Sequence, residues 1–228
     1  MSEETTELSF VKRDDISETF DANLKNHFNK LSVTFSTTFN PSHITECPRR
    51  IIYRCNGVKP EFSITQREAD AEKDLLLKLA IVFRSCKGIK FHNDNLLVSD
   101  CNYNIVGNLD FVIGIKETLL ATKIYSVENE MFQKIQEKGA IKKDVIEVMV
   151  YMWLIELNDG LIVYENRSSL DHISFHIKPY KPIIKSVIKK CRKLVEHEMN
   201  GTIPDRPYKT KENSECCRCE YEVKCWGK

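Results

Sequence analysis

The sequence has no run of eighteen or more apolar residues, so nothing in it reads as a membrane-spanning helix. It also lacks a basic-then-apolar leader: the first ten residues, MSEETTELSF, are acidic and polar, and a soluble cytoplasmic protein is the expectation. Internal repeats and low-complexity tracts are missing as well. So is an excess of either charge. With 34 Lys+Arg against 33 Asp+Glu the formal net charge is +1, and any affinity for nucleic acid has to come from local clusters. At 228 residues the chain is long enough to bury a real hydrophobic core.

Cysteine is plentiful, with nine in the chain. Cys47, Cys55, Cys86, Cys101 and Cys191 are scattered, whereas Cys216, Cys217, Cys219 and Cys225 crowd together. Cytosolic thiols stay reduced, so closely spaced cysteines read as metal ligands before disulfides. Cys216, Cys219 and Cys225 form C-x2-C-x5-C, which places three thiolates in one tight loop. A fourth has to come from far away, and Cys47, followed by Pro48-Arg49-Arg50, is the candidate. Chemically, four cysteines serve an iron-sulfur cluster or a zinc ion, and ordinary reduced thiols are the third reading. Cys217 is a lesser substitute ligand. Cys55, Cys86, Cys101 and Cys191 read as small buried hydrophobes.

Apolar spacing organises the rest. Ile16, Phe20, Leu24, Phe28 and Leu31 predict an amphipathic helix over 14–31, inside an N-terminal extension spanning 1–39. The main domain is then 40–228, with the cysteine segment at 201–228. Within it, helices are predicted over 44–55, which includes Cys47, and over 68–84, 141–157 and 182–199. Period-two stretches at 96–98, 105–113 and 119–125 predict an antiparallel meander, and 161–164 and 173–177 predict two more strands. This order predicts an α/β fold, a sheet with helices on its faces.

The upstream Cys47-Pro48-Arg49-Arg50, combined with C-x2-C-x5-C near the C-terminus, resembles the iron-sulfur branch of the PD-(D/E)XK nuclease superfamily. CRISPR adaptation exonucleases and the AddB helicase-nuclease subunit carry that layout. The resemblance spans roughly residues 40–228. It implies a restriction-endonuclease-like mixed β-sheet core flanked by helices. It also implies a [4Fe-4S] cluster on Cys47, Cys216, Cys219 and Cys225, stapling parts of the chain about 170 residues apart. The implied activity is Mg²⁺- or Mn²⁺-dependent exonuclease cleavage of DNA ends or single strands. Recombination, repair or replication would be the setting, with other proteins of those processes as partners and no membrane. Gly160 to Arg167, containing Tyr164-Glu165-Asn166, is similar to the Tyr-Glu-Asn-Lys strand of virus-encoded members, which points to a viral source and a host-cell cytoplasm.

Carried over residue by residue, the resemblance makes Asp110 the principal metal ligand and Lys123 the group that positions the attacking water. The family places an acid two residues before that lysine; this chain has Ala121, whose methyl cannot bind metal. Engineered removal, migration of the acid to the following helix, and a natural inactive relative are the three explanations. A disabled site predicts activity on restoring the acid with Ala121→Glu. In RecB-like members the helix carries His-x-x-Gln-x-x-x-Tyr, matched here by Asp144, Glu147 and Tyr151. A spacing of three puts Asp144 and Glu147 on one helix face, which makes Glu147 the candidate migrated ligand. A further acid from the early helix falls to Glu68 or Glu72, with Glu72 preferred. Arg49, Arg50 and Arg54 are candidate phosphate contacts, and Lys189, Lys190, Arg192 and Lys193 are either the same or a solvated face. Two rivals to a nuclease stand: an inert DNA-binding or scaffolding relative, favoured by Ala121, and a zinc-bound interaction module.

Overall fold

The computed structural model describes residues 38–61 and 66–227, except the side chains of 66–74. The helix expected over 14–31 lies outside the described residues. Asn40 caps a 3-10 turn, Pro41–His43, by accepting the Ser42 N–H at 3.0 Å. Helix α1, Pro48–Cys55, begins at its proline, which has no N–H to leave unsatisfied in a first turn. Cys47 is therefore the residue capping α1 and not, as the sequence spacing suggested, a residue within a longer helix.

Helix α2, Gln66–Ser85, leads into strands β1 (Ile89–Asp100), β2 (Ile105–Ile115) and β3 (Thr118–Val127). Helices α3 (Asn129–Lys138) and α4 (Lys142–Leu154) then carry the chain across to β4 (Gly160–Asn166), and β5 (His172–Ile177) follows. Helix α5 (Lys181–Met199) and the short α6 (Glu222–Trp226) complete the chain's order. The strands lie in sequence order, antiparallel except for the parallel pair β3–β4. That parallel pair is what α3 and α4 make possible, since a hairpin cannot join strands of one direction.

Both faces of the sheet are covered. Leu75, Leu79 and Phe83 of α2 pack with Phe111, Ile113, Leu120 and Ile124 on one side. On the other, Phe132 and Ile135 of α3 and Val148 and Met152 of α4 pack with Leu109, Val112, Ala121 and Ile162. Beyond α4 lies a third cluster, in which its Val150 meets Ile52 of α1 and Val187, Cys191 and Leu194 of α5. Covering on both sides explains why β4 is almost continuously apolar and why α4 is apolar nearly all round. Phe39 belongs to this third cluster, 1% exposed and bridged to Ile105, so the packed core reaches back at least that far.

Helix α4 comes close to the sheet at Gly160. A Cβ added at Gly160 would stand 2.6 Å from Val148 Cγ1 and 2.7 Å from Met152 Sδ, and the β3 residue paired with Gly160 is Ala121, fully buried. The two smallest available side chains, side by side on β3 and β4, form the floor on which α4 rests.

The scattered cysteines divide. Cys191 is buried, which pushes its thiol up to about 12, and Cys55 is half-buried, which pushes its thiol up to about 11. Cys86 and Cys101, expected in the core, are exposed, because one follows the end of α2 and the other sits in the β1–β2 turn. Among the described residues no helix is long and apolar enough to cross a membrane.

Candidate functional site

The β2–β3 ladder runs from Ile115/Thr118 to Phe111/Thr122, and β1 pairs with β2 well beyond that point. Asp110 follows where the ladder stops. Its Oδ2 accepts the Ile124 N–H at 2.8 Å, taking the place of a backbone acceptor, and its Oδ1 meets Lys123 Nζ at 2.5 Å. Lys123 Nζ also lies 3.8 Å from Glu147 Oε1 on α4 and 5.6 Å from the centre of the Tyr151 ring. Three residues singled out from the sequence, Asp110, Lys123 and Glu147, are thus brought together from two strands and a helix. A cleft of about 490 Å³, lined by Asp110, Asn108 and Asn95 with Leu76, Leu77 and Ala80 of α2, opens beside Asp110.

Two tyrosines to which sequence reasoning gave no role complete the arrangement. Tyr125 donates to Glu147 Oε2 at 3.0 Å, and Tyr164 donates to Asp144 Oδ2 at 2.8 Å. Tyr164 stood in the stretch resembling the Tyr-Glu-Asn-Lys strand but without a role, and Tyr125 carries no periodic or motif signal that separates it from a core residue. Burial raises the pKa of Asp110, Glu147 and Asp144, opposed in each case by Lys123 and by hydrogen bonds. Asp110 and Glu147 flank Lys123, while Asp144 is held by Tyr164. Among the described residues no three His, Cys, Asp or Glu side chains are disposed to hold a metal ion together. Asp110 and Glu147 supply two carboxylates, and that donor set fits Mg²⁺, which keeps several waters and commonly takes one or two protein carboxylates. The side chain of Glu72, on the first half of α2, lies outside the described residues.

Ala121 shares the α4-facing cluster with Val112, Val148 and Ile162. A carboxylate at this position would be buried under α4, so the methyl suits the packing as it stands.

The four cysteines also meet. Cys47, Cys216, Cys219 and Cys225 line one small void of about 20 Å³, together with Arg49, Arg50, Tyr53 and Trp226. Cys217 is exposed and donates instead to Lys211 O. Burial, joined by neighbouring thiols, raises the Cys216 thiol, and burial with Glu220 and Cys47 raises Cys219 against the pull of Arg50. Arg49 Nε and Arg50 Nε are buried with no hydrogen-bond acceptor among the described residues. Arg50 Nε lies 3.5 Å from Glu46 Oε2, and as they stand the cysteines of the void are not disposed to hold a metal ion together. The void holds about one water-sized guest, so a cubane requires the C-terminal loop to spread.

The arginines expected on DNA have partners within the protein. Arg50 and Arg54 pair with Glu220 at 2.6 and 2.8 Å, Arg54 also with Glu46 at 2.9 Å, and Arg49 donates to Tyr53 and to Pro204 O. They brace α1 against the C-terminal segment. Lys190 donates to Glu46 O, whereas Lys189, Arg192 and Lys193 are exposed on α5.

The sequence matches no protein-family model and no curated protein. Among solved structures, the crystal structure of SSO0001 superposes with a TM-score of 0.54 and 18% identity, covering 93% of this chain and 96% of that one. An alkaline exonuclease, LHK-Exo from Laribacter hongkongensis, superposes at 0.53 with 11% identity over 76% of this chain and 94% of its own. The same exonuclease in complex with dAMP gives 0.50 with 11% identity, over 73% and 91%. At these identities the likeness is one of fold: five strands in a mixed sheet flanked by helices, an architecture this chain has in common with an alkaline exonuclease.

Proposed function

We propose that this chain is a metal-dependent DNA nuclease of the PD-(D/E)XK kind, an exonuclease acting on DNA ends or single strands. The observation that carries the reading is the convergence of Asp110, Lys123 and Glu147 where β2 parts from β3. The fold it has in common with an exonuclease supports it. Asp110 and Glu147 would hold Mg²⁺ or Mn²⁺, which supplies Lewis acidity at the scissile phosphate and an acidified water when bound. Lys123, fixed by both acids, would orient the attacking water and offset the charge that develops on the phosphate. The cleft beside Asp110 admits substrate, and Leu76, Leu77 and Phe111 keep one wall of it apolar.

Cys47, Cys216, Cys219 and Cys225 would carry a [4Fe-4S] cluster in a structural role. Protein purified without oxygen should be brown, with iron at about four per chain. One zinc per chain and no colour would replace the cluster with a zinc centre.

The decisive experiment is DNA cleavage with Mg²⁺ or Mn²⁺ by the chain as it stands. Asp110→Ala, Lys123→Ala and Glu147→Gln should each lower cleavage by at least about a hundredfold. Glu147→Gln cutting at the normal rate removes the helix acid from the site. DNA binding without cutting favours the second reading, an inert DNA-binding relative, for which the buried methyl of Ala121 is the motivating observation.

A further inference from the structure

The acid that the family keeps on the strand is here a methyl, and an acid on a helix has to be aimed to replace it. Glutamate has three rotatable bonds, so burial alone leaves its carboxylate free to turn. Tyr125 removes that freedom. It stands two residues after Lys123 on β3, and so on the same face of the strand. Its hydroxyl donates to Glu147 Oε2 at 3.0 Å, while Oε1 of the same carboxylate lies 3.8 Å from Lys123 Nζ. The two oxygens of Glu147 are thereby assigned different neighbours, one on the phenol and one at the lysine shared with Asp110.

Tyr125 is itself braced. Its ring stacks on Tyr164 with centroids 5.5 Å apart and planes 28° from parallel. Tyr164 is fully buried; its hydroxyl accepts the Ile141 N–H at 3.1 Å and donates to Asp144 at 2.8 Å. The packed ring of Tyr164 thus backs the ring of Tyr125, and the Tyr125 hydroxyl alone reaches Glu147, one turn further along α4 than Asp144.

We propose that Tyr125 is a positioning residue for the metal site: it turns the Glu147 carboxylate so that Oε1 faces Asp110 and Lys123, letting an acid on α4 serve where β3 has only Ala121. This rests on the nuclease reading, and it concerns how the second carboxylate is held.

The test is Mn²⁺ titration by calorimetry, with cleavage measured in parallel, on the wild type, Tyr125→Phe, Tyr164→Phe, Glu147→Gln and the double variant Tyr125→Phe/Glu147→Gln. Tyr125→Phe keeps the ring and loses one hydrogen bond. It should weaken Mn²⁺ about tenfold and lower kcat while KM for DNA stays put. The double variant should bind Mn²⁺ no worse than Glu147→Gln alone, because the phenol acts only through that carboxylate. Tyr164→Phe frees Asp144 and leaves the Tyr125 hydroxyl in place, so its Mn²⁺ affinity should stay within about twofold of wild type. Wild-type Mn²⁺ affinity in Tyr125→Phe, additive losses in the double variant, or an equal loss in Tyr164→Phe each overturn the proposal. Wild type that neither binds Mn²⁺ nor cuts DNA overturns the nuclease reading itself, and the unmutated protein alone reveals it.

Discussion

Asp110 and Lys123 stand on adjacent strands, and Glu147 on a helix seated against them, so hydrogen-bonded backbone fixes where each side chain starts. The four cysteines start from a cap residue, an irregular loop and the short helix α6, and side chains hold those pieces together. Arg50 and Arg54 grip Glu220, Arg206 donates to Cys225 O at 2.7 Å, and Glu61 accepts the Val223 N–H at 2.9 Å. The contrast teaches where each centre is vulnerable. A change of volume damages the first, whereas the second fails through loss of a charge.

The harshest way to break the contrast is Ala121→Glu. It forces a carboxylate and one further methylene beneath α4, and we expect a loss of about 3–5 kcal/mol with no gain of cleavage. Urea denaturation reads it, and a stable, more active variant would mean that α4 gives way easily. Next comes Cys219→Ala, expected, if the cysteines carry the proposed cluster, to abolish iron binding and to cost about 2–4 kcal/mol, by analogy with a long-loop cross-link. Mn²⁺ affinity at Asp110 should survive it; joint loss would make the two centres one cooperative unit.

A milder variant sharpens the picture through pH. Burial works against ionisation of Glu46, yet His43, Arg54 and Arg50 hold its pKa down at about 2, below the ordinary 4.5. A depressed carboxylate stabilises the fold above its unfolded pKa and loses that contribution as pH falls through the folded value. Glu46→Gln should therefore cost about 1–2 kcal/mol at pH 7, after allowance for solvent screening, and little near pH 2. Thermal melts of both proteins from pH 7 downward give the difference directly; a gap that persists at the lowest pH would assign the effect to packing.

Much of the sheet was legible because its faces are strongly patterned. The meander and the strands at Leu161–Tyr164 and Ile173–Ile177 were read with ends a few residues short. Strand β1 was the exception, since Phe91 through Asn95 mixes exposed and polar residues at a sheet edge and gives no alternation to follow. Helix α3 went unread because Met131, Phe132 and Ile135 are its only large apolar residues across ten positions. The parallel pairing of β3 with β4 depends on that helix. Cys47 was placed with its three distant partners through a motif, whereas Glu46 and Glu220, one residue away from cysteines of the same void, were passed over. Their role arises from a shared pairing with Arg50 and Arg54 that joins distant parts of the chain, which no local pattern encodes.

The small pair under α4 also bears on ancestry. With Ala121 and Gly160 side by side, the helix sits low enough for an acid on it to reach Lys123; a bulkier pair would lift it out of range. Relatives of this chain should therefore divide into two lineages, one with small residues at both positions and an acid at the place of Glu147, the other with the acid back on the strand and no such constraint at the place of Gly160. A lineage mixing the two patterns would be the intermediate that migration of the carboxylate from strand to helix requires.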